Sequence, residues 1–359
     1  MTKTSSSGQD FESTLETADQ TVADFDTHQR SFLERIQHLL HENPALVPLI
    51  VLIASLLVFA VLVGERFFSP FALTLILQQV QIVGVLAAAQ SLIILTAGID
   101  LSVGAIAVLT SVIMGQFTFR YGLPPAVAVS AGLVAGTVLG ALSGWLVARV
   151  KLPPFIVTLG MWQILLAANY IYSANETIRS QDIAAEAPLL HFFGIKMKMA
   201  GATFTLGVIF MILLMFVLAY VLRHTAWGRH VYAVGDDPEA AELAGVDVNK
   251  TIISVYAVAG LICAFAGWVM IGRFSSVSPS ATTGVIGNIQ AITAVVIGGI
   301  SLFGGRGSIL GALFGALIVG VFELGLRMYG ADPQWTFLLI GVLIIGATTV
   351  DQWIRKAAA

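Results

Sequence analysis

The sequence predicts an all-α protein, a polytopic transmembrane bundle of about ten helices, some of them broken. Three observations carry that reading. Apolar residues make up 57% of the 359-residue chain, charged residues only 11%, and the mean hydropathy is +0.89. A soluble domain of this length needs far more charge to cover its surface. The apolar residues fall into runs of roughly the 20 that a helix needs to cross a bilayer. Within those runs glycines recur four apart, which clears one helix face for close approach of another.

The N-terminal region stands apart. Residues 1–43 hold eight acids against Lys3, Arg30 and Arg35, while the rest of the chain carries 15 basic and 13 acidic groups. Residues 1–30, rich in Ser, Thr, Asp, Glu and Gln, read as disordered. From 31 to 42, Phe32, Leu33, Ile36, Leu39 and Leu40 recur at helical spacing opposite charged and polar residues. This is an amphipathic helix for the membrane surface, or equally a solvated stub. The first forty residues lack the apolar core of a signal peptide.

The expected spans are 45–63, 72–96, 103–119, 124–148, 155–173, 205–222, 252–271, 284–300, 308–326 and 335–350. An even number puts both termini on one side. With the N-terminus cytoplasmic, eleven basic residues fall inside and seven outside, which mildly favours that orientation. The chain thus divides into a cytoplasmic acidic tail (1–43), a membrane domain (44–351) with a cytoplasmic loop at 223–251, and a short cytoplasmic C-terminal tail (352–359). Ala97 to Gly104 echoes Gly298 to Gly305 at a constant offset, an internal repeat of the kind transporters contain, or a coincidence of glycine-rich sequence.

Composition excludes several functions. One cysteine, Cys263, permits no intrachain disulfide, and the six histidines fall in the tail or in loops, so no metal site is expected. No basic stripe points to nucleic acid. No GxxxxGK[ST], HExxH or GxSxG occurs, so neither an ATPase site nor a catalytic constellation is expected, and no cofactor.

Among the acids of the membrane domain, only Asp100 and Glu323 interrupt long apolar runs. Asp100, with Ser102, either lines a pathway or caps the helix beginning at Val103. Glu323 has Arg327 four residues on, the spacing of a helix-end ion pair. Gln90, Trp162, Gln163, Asn169, Asn288 and Gln290 are further pathway candidates: amides donate and accept, and an aromatic face suits a sugar ring. They would serve interhelical hydrogen bonding as well. Gly132, Gly136, Gly140 and Gly144 share a helix face, and Gly307, Gly311 and Gly315 repeat the spacing; both sets are expected to pack helices.

The loop at 223–251 holds the sharpest local signal. Asp237 is a good N-cap, Pro238 fits the first helical position, Glu239 suits the positive end of the dipole, and Gly245 can take a left-handed stop. Residues 237–245, with Ala240, Ala241 and Ala244 between, thus form one short helix set between two spans. On physics alone it docks on a partner or merely tidies a loop.

Here the wording resembles a known family. Tyr232 to Ala241 followed by Ala244-Gly245-Val246 is similar to the coupling region of ribose- and galactose-type monosaccharide permeases of binding-protein-dependent ATP-binding-cassette importers. Gly98 to Gly104 resembles that family's early signature, and Ala294 to Gly299 with Gly304 to Ser308 and Gly311 its late one. The three stand in the family's order. Within the family the wording is most similar to fructose-importer permeases. The resemblance implies an inner-membrane subunit that moves a monosaccharide and works as a homodimer. It implies a cytoplasmic ATPase that binds ATP and Mg, a periplasmic sugar-binding protein, and residues 237–245 as the helix coupling permease to ATPase. An ion-coupled secondary transporter is the competing reading, with Asp100 as its coupling residue, and a related permease for another small solute is a third.

Overall fold

The computed structural model describes residues 45–199 and 201–358; the expected acidic tail and amphipathic helix lie outside the described residues. The described chain is almost wholly helical. α1 (Leu46–Val63) passes through a 3-10 turn, Gly64–Phe68, into α2 (Pro70–Leu95). α3 (Val103–Phe119), α4 (Pro125–Ala148) and α5 (Pro154–Ser173) follow, then a short α6 (Ser180–Glu186). A hairpin of β1 (Lys196–Met199) and β2 (Ala202–Thr205) leads into α7 (Leu206–His224). α8 (Ala226–Asp236) and α9 (Pro238–Leu243) come next, before α10 (Val248–Phe274), α11 (Ala281–Ile297), α12 (Ile309–Tyr329) and α13 (Pro333–Ala358).

Among the described residues seven helices, α1, α2, α4, α5, α7, α10 and α12, are long and apolar enough to cross a membrane, and α3, α11 and residues 334–349 of α13 form shorter apolar helices. These ten correspond one for one to the expected spans. α3 and α11 are 17 residues each, about 25 Å of helix, short of the ~30 Å of hydrocarbon a straight span covers. α13 runs on to Ala358, through the stretch expected as a tail. No proline follows Pro333 to stop it.

Local chemistry sets the boundaries. Ser69 caps α2 by accepting from the Ala72 N–H at 3.1 Å, and Pro70 takes the first helical position. Pro125 and Pro154 start α4 and α5 the same way. Gly330, at φ +86, ends α12.

α2 is the axis of the bundle, with every residue from Val83 to Leu95 buried. One core joins it to α3, α7, α10, α11 and α12 through residues such as Leu86, Ile93, Ile106, Met211, Cys263 and Ala312. A second core holds α1 against α2 and α12, with Phe59 edge-on to Phe322 at 5.5 Å. The glycine face of α4 meets α10 directly. A Cβ at Gly136 would lie 2.6 Å from the Gly260 carbonyl oxygen, one at Gly140 would fall on the Tyr256 carbonyl, and one at Gly144 would lie 2.7 Å from the Tyr256 Cβ. Gly132 lies instead against Met114 of α3. Gly311 and Gly315 bring α12 onto α11, against Gly298 and Ala294. Gly307 differs from expectation: it precedes the helix at φ +129, turning the chain beside Ile300. Spacing cannot tell a glycine within a helix from one just before it.

The segment between α5 and α7 covers one end of the bundle. Ile178 bridges to Val277, the Trp268 indole donates to the Leu189 carbonyl at 3.1 Å, and the Gln78 amide donates to the Thr203 carbonyl at 2.5 Å. The segment's own Ile183, Ala187 and Leu190 are buried, packed with Met114 and Ile271.

Candidate functional site

Two places bring the candidate polar residues together. The first is the break between α2 and α3. The chain leaves α2 at Thr96, turns through Ala97 at φ +58, and re-enters a helix at Val103. Its backbone groups need partners that lipid cannot supply. With its amide oriented to satisfy both neighbours, Gln90 donates to the Asp100 carbonyl at 3.0 Å and accepts from the Asp100 N–H at 3.2 Å. Asn288 of α11 donates to the Leu101 carbonyl at 2.9 Å, and the Thr158 hydroxyl of α5 to the Ile99 carbonyl at 3.1 Å. Three helices thereby fix one irregular segment.

Asp100 is buried, and its carboxylate turns back on its own loop, accepting from the Ser102 N–H and, at 2.6 Å, from the Ser102 hydroxyl. This is an Asx-turn inside the break, and the N-cap residue, Ser102, makes no side-chain cap bond to α3.

The second place is a narrow cleft where α3, α5 and the start of α11 meet. Trp162 and Asn169 line it with Ala105, Val108, Ser280 and Gly284. Ser280 caps α11 by accepting from the Thr283 N–H at 3.3 Å. Gly284 lies against Gly104, so the first turns of the two short helices touch backbone to backbone. Asn169 is 2% exposed, and neither its amide oxygen nor its amide nitrogen has a partner.

The remaining candidates go elsewhere. Gln163 is exposed on the outer surface of α5, because one residue beyond Trp162 is a turn of about 100° off the lining face. Gln290 donates to Glu323 at 2.6 Å, and Gln79 donates to the other oxygen of the same carboxylate. These two amides hydrogen-bond Glu323, and the Arg327 charge four residues on attracts it without a direct ion pair among the described residues. Gln79 carries no signal in the sequence that would single it out.

At the opposite end from the α5–α7 cover lies the α8–α9 elbow. The Asp237 carboxylate accepts from the N–H groups of Glu239 and Ala240 at 2.9 and 3.0 Å, and Gly245 takes φ +86 after the helix. Ala241 is buried beneath α9, while Pro238, Glu239, Ala240 and Glu242 face out and Leu243 is 92% exposed. Ala244 closes the helix, its N–H bonding the Ala240 carbonyl at 3.0 Å. α8 is lodged in the bundle. Gly235 sits against the Leu95 carbonyl, which also accepts from the Gly305 N–H at 3.0 Å, and the Tyr232 hydroxyl donates to the Gly307 carbonyl at 2.9 Å. Burial raises the pKa of the Tyr232 phenol, which keeps it a donor. The two loops that echo each other in sequence therefore meet under α8.

Residues 72–348 match the family model described as the permease component of branched-chain amino acid transport systems. The chain is similar to the fructose import permease protein of Rhizobium meliloti, 65% identical over 351 residues, which cover 98% of this chain and 97% of that protein. The chain belongs to this permease family. It is also 36% identical over 315 residues to the ribose import permease protein of Escherichia coli, covering 87% of this chain and 94% of that one. The xylose transport system permease protein of Haemophilus influenzae is 28% identical over 363 residues, 86% of this chain and 96% of the relative. No solved structure matches.

Proposed function

We infer that the chain is the membrane-spanning permease subunit of an ATP-binding-cassette importer and that it carries a monosaccharide, fructose first, across the bacterial inner membrane. The observation that carries this reading is the 65% identity, over nearly the whole of both chains, to a permease named for fructose import. The cleft walls support it: the lining residues are all neutral. A hydroxylated solute needs donors and acceptors, whereas a zwitterionic amino acid would need charges to meet its own.

The subunit hydrolyses nothing. ATP and Mg belong to a cytoplasmic ATPase partner, a periplasmic binding protein delivers the sugar, and two permease copies form the pathway. The α8–α9 end and both termini then face the cytoplasm. α9 docks on the ATPase through Glu239, Glu242 and Leu243, and its motion passes through α8. Because Gly235 has no side chain to cushion it against the Leu95 carbonyl, a displacement of α8 is felt at once by the α2–α3 break and by the Gly304–Gly305 loop. Packed contacts of this kind switch between arrangements instead of deforming smoothly.

The test is reconstitution in proteoliposomes with a partner ATPase and a sugar-binding protein. Uptake of fructose that needs ATP inside and binding protein outside is the expected result. Uptake by the permease alone, driven by an ion gradient, would refute the importer reading.

A further inference from the structure

Resting on that reading, we propose that the Asn169–Trp162–Ser280 cleft is a monosaccharide subsite within the permease itself, binding the ring through its hydroxyls and one apolar face. The argument begins with Asn169. A buried amide with neither atom bonded is expensive, and native interiors seldom tolerate one without a reason. Here it lines a cleft instead of an interhelical seam. Gln90, Gln290 and Asn288 show the contrast: each bonds the protein through its amide nitrogen.

The other walls supply what a sugar needs. The Trp162 ring gives a flat apolar face, and no hydrogen bond among the described residues engages its indole N–H. At the first turn of α11, the Ser280 hydroxyl oxygen accepts from the N–H and the hydroxyl of Thr283, which leaves the N–H groups of Ala281 and Thr282 for an incoming oxygen, as helix starts do. Amide, hydroxyl and backbone donors thus converge on one aromatic face. As it stands the cleft has room for about one water molecule, far less than the small-molecule pockets of folded proteins offer. The cleft admits a whole ring only when α3, α5 and α11 separate, so occupancy is tied to the transport cycle.

Cysteine labelling tests this without disturbing Asn169. Cys263 is the chain's one cysteine and is buried, so the wild-type permease is the unlabelled blank. Ser280→Cys is prepared in the complex with the ATPase in nanodiscs, and its maleimide labelling rate is measured with D-fructose, D-ribose or the acyclic alcohol mannitol. We expect the ring sugars to slow labelling several-fold and mannitol to leave it unchanged. An exposed control, Glu176→Cys, is expected to label at one rate throughout. Adding Asn169→Leu is expected to weaken protection about tenfold, the worth of one or two hydrogen bonds, while the melting temperature holds or rises because no protein bond is lost. Equal labelling with and without ring sugar, in a permease whose wild-type complex imports fructose, would overturn the subsite and leave the importer standing. A fall in melting temperature with unchanged protection would also overturn it, by making Asn169 structural. Failure of the wild-type complex to import any sugar would overturn the importer reading itself.

Discussion

Gly140→Ala and Gly160→Ala make the same chemical change in two membrane helices, and the structure gives them opposite signs. In the interior of a helix, alanine is better than glycine by roughly 0.5–1 kcal/mol. At Gly160 nothing lies within 4 Å of the added methyl, so that gain stands alone. At Gly140 the methyl would land on the Tyr256 carbonyl oxygen and lie 2.9 Å from the Gly260 Cα, both of them backbone atoms of α10. A backbone cannot rotate aside, so α4 and α10 must separate along their shared glycine face. Overpacking of this kind costs about 1–3 kcal/mol; set against the propensity gain, the net loss is on the order of 1–2 kcal/mol. The assay is thermal unfolding of the detergent-purified permease, read as the monodisperse fraction after heating. Gly140→Ala is expected to lower the midpoint and Gly160→Ala to hold or raise it. Equal shifts for the two variants would refute the packing argument.

Three further predictions concern the polar groups. Gln90→Leu leaves the Asp100 N–H and carbonyl unpaired inside the bundle, at about 1–3 kcal/mol for each; proteolysis or denaturant titration should show a clear loss of stability. Glu323→Ala strands the amides of Gln79 and Gln290 and should destabilise, whereas Glu323→Gln keeps acceptor capacity and should cost less; the comparison is again of melting midpoints. Asp237→Ala removes the cap of α9, worth about 1 kcal/mol, while Asp237→Asn retains it. Co-purification with the ATPase should fall for Asp237→Ala and for Glu239→Lys, and persist for Asp237→Asn.

Much of this fold is legible from residues alone because the bilayer imposes so few solutions. Each of the ten apolar runs became one helix, and the cap, proline and glycine of 237–245 marked α9 to within a residue or two. Glycine spacing found the α4–α10 seam, since small residues are what close helix contact demands. Partners distant in sequence were not legible. Nothing local in Gln90, Asn288 or Thr158 says that they converge on the backbone of residues 99–101, and the spacing of Glu323 and Arg327 hides the amides that hold the carboxylate. The cover at 174–205 escaped for another reason. Its buried Ile183 and Leu190 are scattered among polar residues with no period, so nothing in the stretch announces a packed element. Trp162 and Gln163 were equal candidates until the helix rotation separated one from the other.

The neutrality of the cleft walls has an electrical consequence. Moving one elementary charge through the membrane potential involves about 2.3 kcal/mol per 100 mV. An uncharged ring passing between tryptophan, asparagine and serine does no such work. On the proposed route the cell's voltage therefore neither pulls such a cargo in nor holds it back, which leaves the one-way drive to the proposed motion of α8 and α9.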